Sequence, residues 1–232
     1  AAAQAEEEAA AEEEAERAAL EESHNSLLSD LLICFQSDNL DDVKELLRTE
    51  EYTAMSDEII NADDFYYYGD ENDAGEREGT GVAAYCNGYY YYGDFSGDVR
   101  SGQGIWIRAV YSDSSSIGSF IFEGEWSEDK PNGSGTATSN FYKDKISSSE
   151  LVKQVITGEY ADGLENGTMS LSGTTKSGST VKYSYTSASG IAKQSSKEDS
   201  GIDGQYIIAK SSDEKSNLTS DGSLRGVEGF LE

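Results

Sequence analysis

The sequence predicts a mainly β protein: an elongated single-layer antiparallel meander of stacked β-hairpins, preceded by short α-helices. Three observations predict it. From residue 65 a phrase recurs, hydrophobic-x-Gly-acid and often an aromatic, with a second Gly-containing phrase nine or ten residues beyond the first Gly. Before residue 65 the apolar residues recur instead at three and four, the helical period. The charge divides at the same place, with 20 acidic and 3 basic side chains in residues 1–64 against 25 and 14 in residues 65–232.

Residues 1–25 read as an acidic Ala/Glu helical stalk or tether. Residues 1–22 are almost entirely Ala and Glu, good helix formers whose like charges repel. Arg17 is the one base there, paired with Glu13 in the better i,i+4 orientation and Glu21 in the poorer. Alanines where a coiled coil wants Leu or Ile specify no seam, and a helix of this length spans roughly 33 Å.

Residues 26–64 read as short amphipathic helices. Leu27, Leu28, Leu31, Leu32 and Phe35 place one apolar stripe on a first helix, and Leu40, Val43, Leu46 and Leu47 on a second. Ser37-Asp38-Asn39 between them supplies turn and N-cap residues, and Tyr52, Met55 and Ile59 mark a third helix. These stripes are expected to cap the first hairpin, covering its open edge and its apolar end.

Residues 65–232 carry the repeat. The first copy is Tyr67-Tyr68-Gly69-Asp70 with Gly79-Thr80-Gly81, and the second is Tyr91-Tyr92-Gly93-Asp94-Phe95 with Gly102-Gln103-Gly104. The third runs Phe122-Glu123-Gly124-Glu125-Trp126 with Gly133-Ser134-Gly135, and the fourth Ile156-Thr157-Gly158-Glu159-Tyr160 with Gly167-Thr168-Met169. This phrase resembles the MORN repeat, approximately Tyr-x-Gly-Glu-Trp, a turn, then Gly-x-Gly and a short strand. Copy one departs from it with Glu71 at the aromatic position, and copy four with Met169 at the second Gly. Four units extend to about residue 176. Degenerate units follow at Val181–Tyr185, Ile202–Tyr206 and Val227–Leu231, and longer spacings place insertions at Ser112–Ser119 and Lys143–Gln154. Alternation puts Tyr91, Gly93 and Phe95 on one strand face, where the Gly leaves a slot for a ring from the neighbouring strand. Polar residues such as Ser127–Asn132 are expected to form the hairpin connections.

Composition excludes several function classes. Across 232 residues, 45 acidic side chains against 17 basic give a net charge of −28, which repels nucleic acid and anionic membranes. One histidine, His24, and two cysteines, Cys34 and Cys86, leave little material for a His-based triad or a zinc site. No catalytic residues, cofactor or metal are assigned. Asp70–Gly75 opens like a calcium loop but has Ala74 at its fifth position and Gly81 at its twelfth. Asp199–Gly204 fails similarly, and the Gly-x-Gly phrases complete no phosphate loop.

The feature that points outward is tyrosine. Phe65-Tyr66-Tyr67-Tyr68 and Tyr89-Tyr90-Tyr91-Tyr92 put aromatics on both strand faces, so Tyr66, Tyr68, Tyr90 and Tyr92 form a candidate binding strip opposite the packed set. MORN proteins are known as organising modules, so the resemblance implies a non-catalytic binding or scaffold role through protein partners or self-association. The alternative is a cell-surface carbohydrate binder using those tyrosines, and a third reading is a glycan-acting enzyme with paired carboxylates. Compartment stays open, the composition favouring an extracytoplasmic protein tethered by a segment upstream of Ala1.

Overall fold

The computed structural model describes residues 2–109, 117–145, 151–197 and 224–231. Three helices come first, α1 (Ala2–Gln36), α2 (Leu40–Leu46) and α3 (Glu50–Asp57). They lead into one antiparallel sheet of eleven described strands: β1 (Tyr66–Glu71), β2 (Arg77–Ala84), β3 (Tyr89–Ser96), β4 (Val99–Ala109), β5 (Ile117–Ser127), β6 (Lys130–Phe141), β7 (Leu151–Ala161), β8 (Leu164–Glu165), β9 (Gly167–Thr175), β10 (Thr180–Ala188) and β11 (Ile191–Lys197). Strands lie side by side in chain order, and only β8 leaves that path, pairing with the end of β7. The mainly β meander of hairpins behind helices is thus present as predicted.

The connections within several hairpins are tighter than expected. The β5–β6 turn is Glu128-Asp129 alone, because β5 runs through Ser127 and β6 begins at Lys130, so Pro131 and Asn132 are strand residues. Gly97-Asp98, Glu128-Asp129, Asp162-Gly163 and Ser189-Gly190 all have both φ angles positive, between 49° and 81°. That is the two-residue turn whose twist matches the flanking strands.

The repeat glycines form a row across the sheet. Gly69 faces Gly81, Gly81 faces Gly93, Gly93 faces Gly104, Gly104 faces Gly124, Gly124 faces Gly135 and Gly135 faces Gly158. In the first three copies a ring lies in this furrow: it springs from two residues before the first glycine and covers the second glycine, on the neighbouring strand, as expected of such a slot. A methyl group at Gly81 would strike the Tyr67 ring, one at Gly104 the Tyr91 ring and one at Gly135 the Phe122 ring. Bare backbone on two adjacent strands makes room for the ring. There it can bond locally, Tyr67 Oη donating to Asp70 O at 2.7 Å and Tyr91 Oη to Asp94 O at 3.0 Å. In the fourth copy the Met169 thioether fills the slot over Gly158, so the missing glycine is compensated by a flexible side chain.

The degenerate units fare unequally. Val181–Tyr185 lies in β10, whereas Ile202–Tyr206 lies outside the described residues. Val227–Leu231 is not a strand of the meander; its segment makes one isolated bridge, Gly226 to Leu164, and returns over the sheet face. Of the expected insertions, 112–116 and 146–150 fall outside the described residues, while Ile117–Ser119 belongs to β5 and Leu151–Gln154 to β7.

Strand alternation sends two apolar sets to opposite faces. One face carries Tyr91, Phe95, Trp106, Phe122, Trp126, Tyr160 and Tyr185, packed together and against Val227 and Phe230. The other carries Val82, Ala84, Tyr90, Ile107 and Ile121 beneath Leu28, Leu31, Phe35, Val43, Leu47, Tyr52 and Met55 of the helices. The helices therefore cover a face spanning several strands, adding a second layer over β1–β5. Each such buried Leu, Val or Phe contributes about 1.5–3 kcal/mol, and a face offers more apolar area than an edge. Ser56 fastens α3, its Oγ donating to Tyr85 O at 2.6 Å and accepting from Gly88 N at 2.7 Å. Helix α1 runs unbroken through residues 25 and 26, yet residues 9–23 are exposed and docking begins at His24.

Candidate functional site

The strip of tyrosines expected to face outward lies largely under the helices. Tyr90 is 1% exposed and its Oη donates to Tyr52 O at 2.6 Å, and burial pushes both phenols upward. Tyr92 is half-buried and stacks on Phe35 with centroids 4.8 Å apart at 8°. Tyr66 lies against the His24 ring at 4.0 Å, and His24 Nε2 is 3.1 Å from Glu58 Oε2. Tyr68 stays exposed at 37%. The apolar stripes on the helices needed a surface, and this face is the one they found.

The acidic turn at Asp70–Gly75 is organised by its own side chain. Asn72 Oδ1 accepts from Ala74 N and Glu76 N, both at 3.0 Å. Among the described residues no three His, Cys, Asp or Glu side chains converge as metal ligands would.

The opposite, aromatic face holds a repeating polar device that the sequence reading missed. At each junction between hairpins, the residue two before the first Gly of the Gly-x-Gly phrase accepts, through its carbonyl, from the second turn residue of the next hairpin. The pairs are Asp98 N to Arg77 O (3.1 Å), Asp129 N to Arg100 O (3.2 Å), Gly163 N to Pro131 O (2.9 Å) and Gly190 N to Glu165 O (3.0 Å). In the first two the side chains close the clasp as well. Arg77 Nε donates to Asp98 Oδ1 at 3.1 Å, and Arg100 Nε to Asp129 Oδ1 at 3.0 Å. The backbone N–H and then the guanidinium of Arg77 hold the Asp98 carboxyl below the usual carboxylate range. The guanidinium of Arg100 lies among rings, 4.8 Å from Tyr85, 5.0 Å from Trp126 and 5.1 Å from Trp106, where the aromatic quadrupoles favour a cation. An Arg two before the first Gly, in Arg77-Glu78-Gly79 and Arg100-Ser101-Gly102, was the available signal.

The third clasp has Pro131 and keeps only the main-chain bond. At the fourth the charge is inverted: Glu165 stands at the arginine position and Gly190 at the aspartate position. The missing partner arrives from the C-terminal segment. Arg225 Nε donates to Glu165 Oε2 at 3.1 Å and Tyr185 Oη to Glu165 Oε1 at 2.9 Å, while Arg225 Nη2 reaches Tyr185 Oη at 3.0 Å. Main-chain bonds tie the segment in, Glu165 N to Arg225 O at 3.0 Å, Arg225 N to Gly190 O at 2.9 Å and Val227 N to Gly163 O at 2.8 Å.

Beyond Arg225 the segment follows the aromatic face. Glu228 Oε1 accepts from Tyr89 Oη at 2.8 Å and from Arg108 Nη1 at 2.9 Å, and Trp106 Nε1 donates to Glu228 O at 2.9 Å. Phe230 packs edge-on against Trp106 and Trp126, with centroids 5.2 and 5.5 Å apart. The face thus holds this segment by three means at once: main-chain bonds, a buried ion pair and an aromatic anchor.

The MORN repeat family model matches residues 91–111 and 122–140, which are the second and third copies of the repeat phrase. No curated protein matches the chain.

Proposed function

We propose that this chain, which carries MORN repeats, is a non-catalytic protein-binding or scaffold module that takes peptide segments on the aromatic face of its repeat sheet. MORN repeats are generally binding or scaffold modules, which supports the class. The observation that carries the reading is residues 225–230, a segment remote in sequence that pairs with the sheet at Arg225–Val227, turns at Glu228-Gly229, and is seated on this face through Arg225, Glu228 and Phe230. Strand addition at a sheet edge uses a similar combination, main-chain bonds for affinity and side-chain pockets for specificity.

The test is hydrogen exchange on the full chain with peptides selected against it from a random library. Protection at Glu165, whose N–H bonds the seated segment at Arg225 O, is the expected result in full-length Arg225→Ala/Phe230→Ala, where that segment is loosened. Protection confined to the exposed edge around Tyr68 would overturn the assignment to the aromatic face. A soluble glycan that produced the same protection, where peptides produced none, would turn the reading towards carbohydrate.

A further inference from the structure

We infer that the charge-inverted fourth clasp is a recognition site for an arginine-bearing peptide of the form Arg-Gly-aliphatic-Glu-Gly-aromatic, and that Arg225–Phe230 is its resident ligand in cis. The inference rests on the peptide-binding role proposed above and adds the chemistry of the ligand.

The first two clasps are built from residues 21 and 29 positions apart, whereas Glu165 and Arg225 are 60 apart. The local hairpins therefore complete themselves, but the fourth is left with a carboxylate where its predecessors place a guanidinium. Glu165 is 2% exposed. A carboxylate so placed demands a cation with several donors, and the planar guanidinium meets two acceptors at once, Glu165 Oε2 and Tyr185 Oη, as a lysine ammonium would not.

Each further position of the motif has its own reason. A side chain at Gly226 would collide with the Gly163 carbonyl oxygen and Leu164 Cα, so only Gly fits against β8. Val227 is fully buried, which sets an aliphatic residue there. Glu228 joins Tyr89 to Arg108, Gly229 has a φ of 94° that favours glycine, and Phe230 meets both tryptophans of the chain. The same sequence in trans, from any protein that carries it, would compete for the site, and the resident segment makes the site self-occluding.

The two tryptophans, Trp106 and Trp126, both border Phe230, so intrinsic fluorescence reads the site directly. The peptide Leu-Arg-Gly-Val-Glu-Gly-Phe-Leu contains no tryptophan, and it is titrated into the full wild-type chain and into full-length Arg225→Ala/Phe230→Ala. The double variant is expected to melt cooperatively with shifted tryptophan emission, and the peptide to restore that emission saturably. The wild-type chain is expected to need at least about tenfold more peptide, because only its tail-free fraction is competent to bind. The peptide with Arg replaced by Ala should fail in both.

Loss of cooperative melting in the double variant would overturn the inference, since the segment would then be an integral part of the fold. So would a cooperatively melting variant that ignores the peptide. A scrambled peptide that binds equally well would overturn the arginine-anchored specificity while leaving the face a general peptide binder. If no peptide binds here or in the library selection, the broader reading falls as well.

Discussion

Arg225 Nε lies 3.1 Å from Glu165 Oε2 across 60 residues of chain, and both side chains are sealed from solvent. The pair occupies the fourth place in a series whose first two members are Arg77 with Asp98 and Arg100 with Asp129. Polarity reverses between them: the repeat supplies the base in the early clasps and the acid in the last. An array that must join hairpin to hairpin thus ends on a hairpin that takes its partner from elsewhere.

The early clasps give the protein an acid-sensitive junction. Bonds from the Arg77 backbone N–H and guanidinium hold the Asp98 pKa below its ordinary value of 3.8. A carboxyl whose folded pKa is depressed contributes stability that is fully present above the unfolded value and lost as pH falls through the folded one. Thermal melts between pH 6 and about pH 2.5 should therefore show a loss beginning near pH 4. Asp98→Asn should flatten part of that slope, and an unchanged slope would remove Asp98 from the account.

The second clasp divides unequally between its partners. Arg100 is buried among Tyr85, Trp106 and Trp126, whereas the Asp129 side chain is 40% exposed. Arg100→Ala removes cation–π contacts and packing together with the ion pair, and is expected to cost about 2 kcal/mol. Asp129→Ala should cost about 1 kcal/mol or less, as partly exposed pairs do. Denaturant unfolding of both single variants and the double variant measures the difference. Equal losses would mean that the ion pair dominates over the rings.

The row of glycines sets up a contrast between space and backbone. Gly97 has φ 57° with nothing near its added methyl, so Gly97→Ala meets only backbone strain of about 1–2 kcal/mol. Gly104 has no such φ, yet a methyl there runs into the Tyr91 ring. Gly104→Ala is expected to cost about 1–3 kcal/mol through overpacking. Pairing it with Tyr91→Leu should recover part of that loss, whereas the same partner should do nothing for Gly97→Ala. Chemical unfolding of the four variants decides it.

How much of this the sequence shows follows from what is local. The Tyr67-x-Gly69 and Gly79-x-Gly81 phrases expose the hairpins because strand period and glycine spacing are properties of neighbouring residues. Leu28, Leu31 and Phe35 announce a helix for the same reason. What those leucines cover is a matter of tertiary docking, so Tyr90 and Tyr92 read as outward-facing when they lie beneath the helices. The Arg77 and Arg100 positions were visible, but their function depends on turn residues 21 and 29 positions onward. Arg225 carried no local signal at all, because Val227–Leu231 keeps the repeat spacing while its neighbours direct it back across the sheet.

The long first helix should separate into two energetic halves. Residues 9–23 are exposed, and like charges there repel, so a chain shortened by residues 1–20 loses no buried contact from residues 9–20. Global stability of the shortened chain should stay within about 0.5 kcal/mol of the parent, the range for surface changes. Leu28 and Leu31 are both 0% exposed and rest with Phe35 against the apolar face containing Val82, Tyr90 and Ile107. Leu31→Ala should cost about 2–5 kcal/mol, the transfer of a buried Leu side chain plus the cavity left behind. Because Phe35 stacks on Tyr92, Phe35→Ala should also raise the reactivity of Tyr92 towards a tyrosine-modifying reagent, with Tyr91 on the other face unchanged. Peptide mapping of the modified chain reads that directly. Equal labelling of Tyr91 and Tyr92 would show that the helices stabilise the whole sheet rather than shield one face of it.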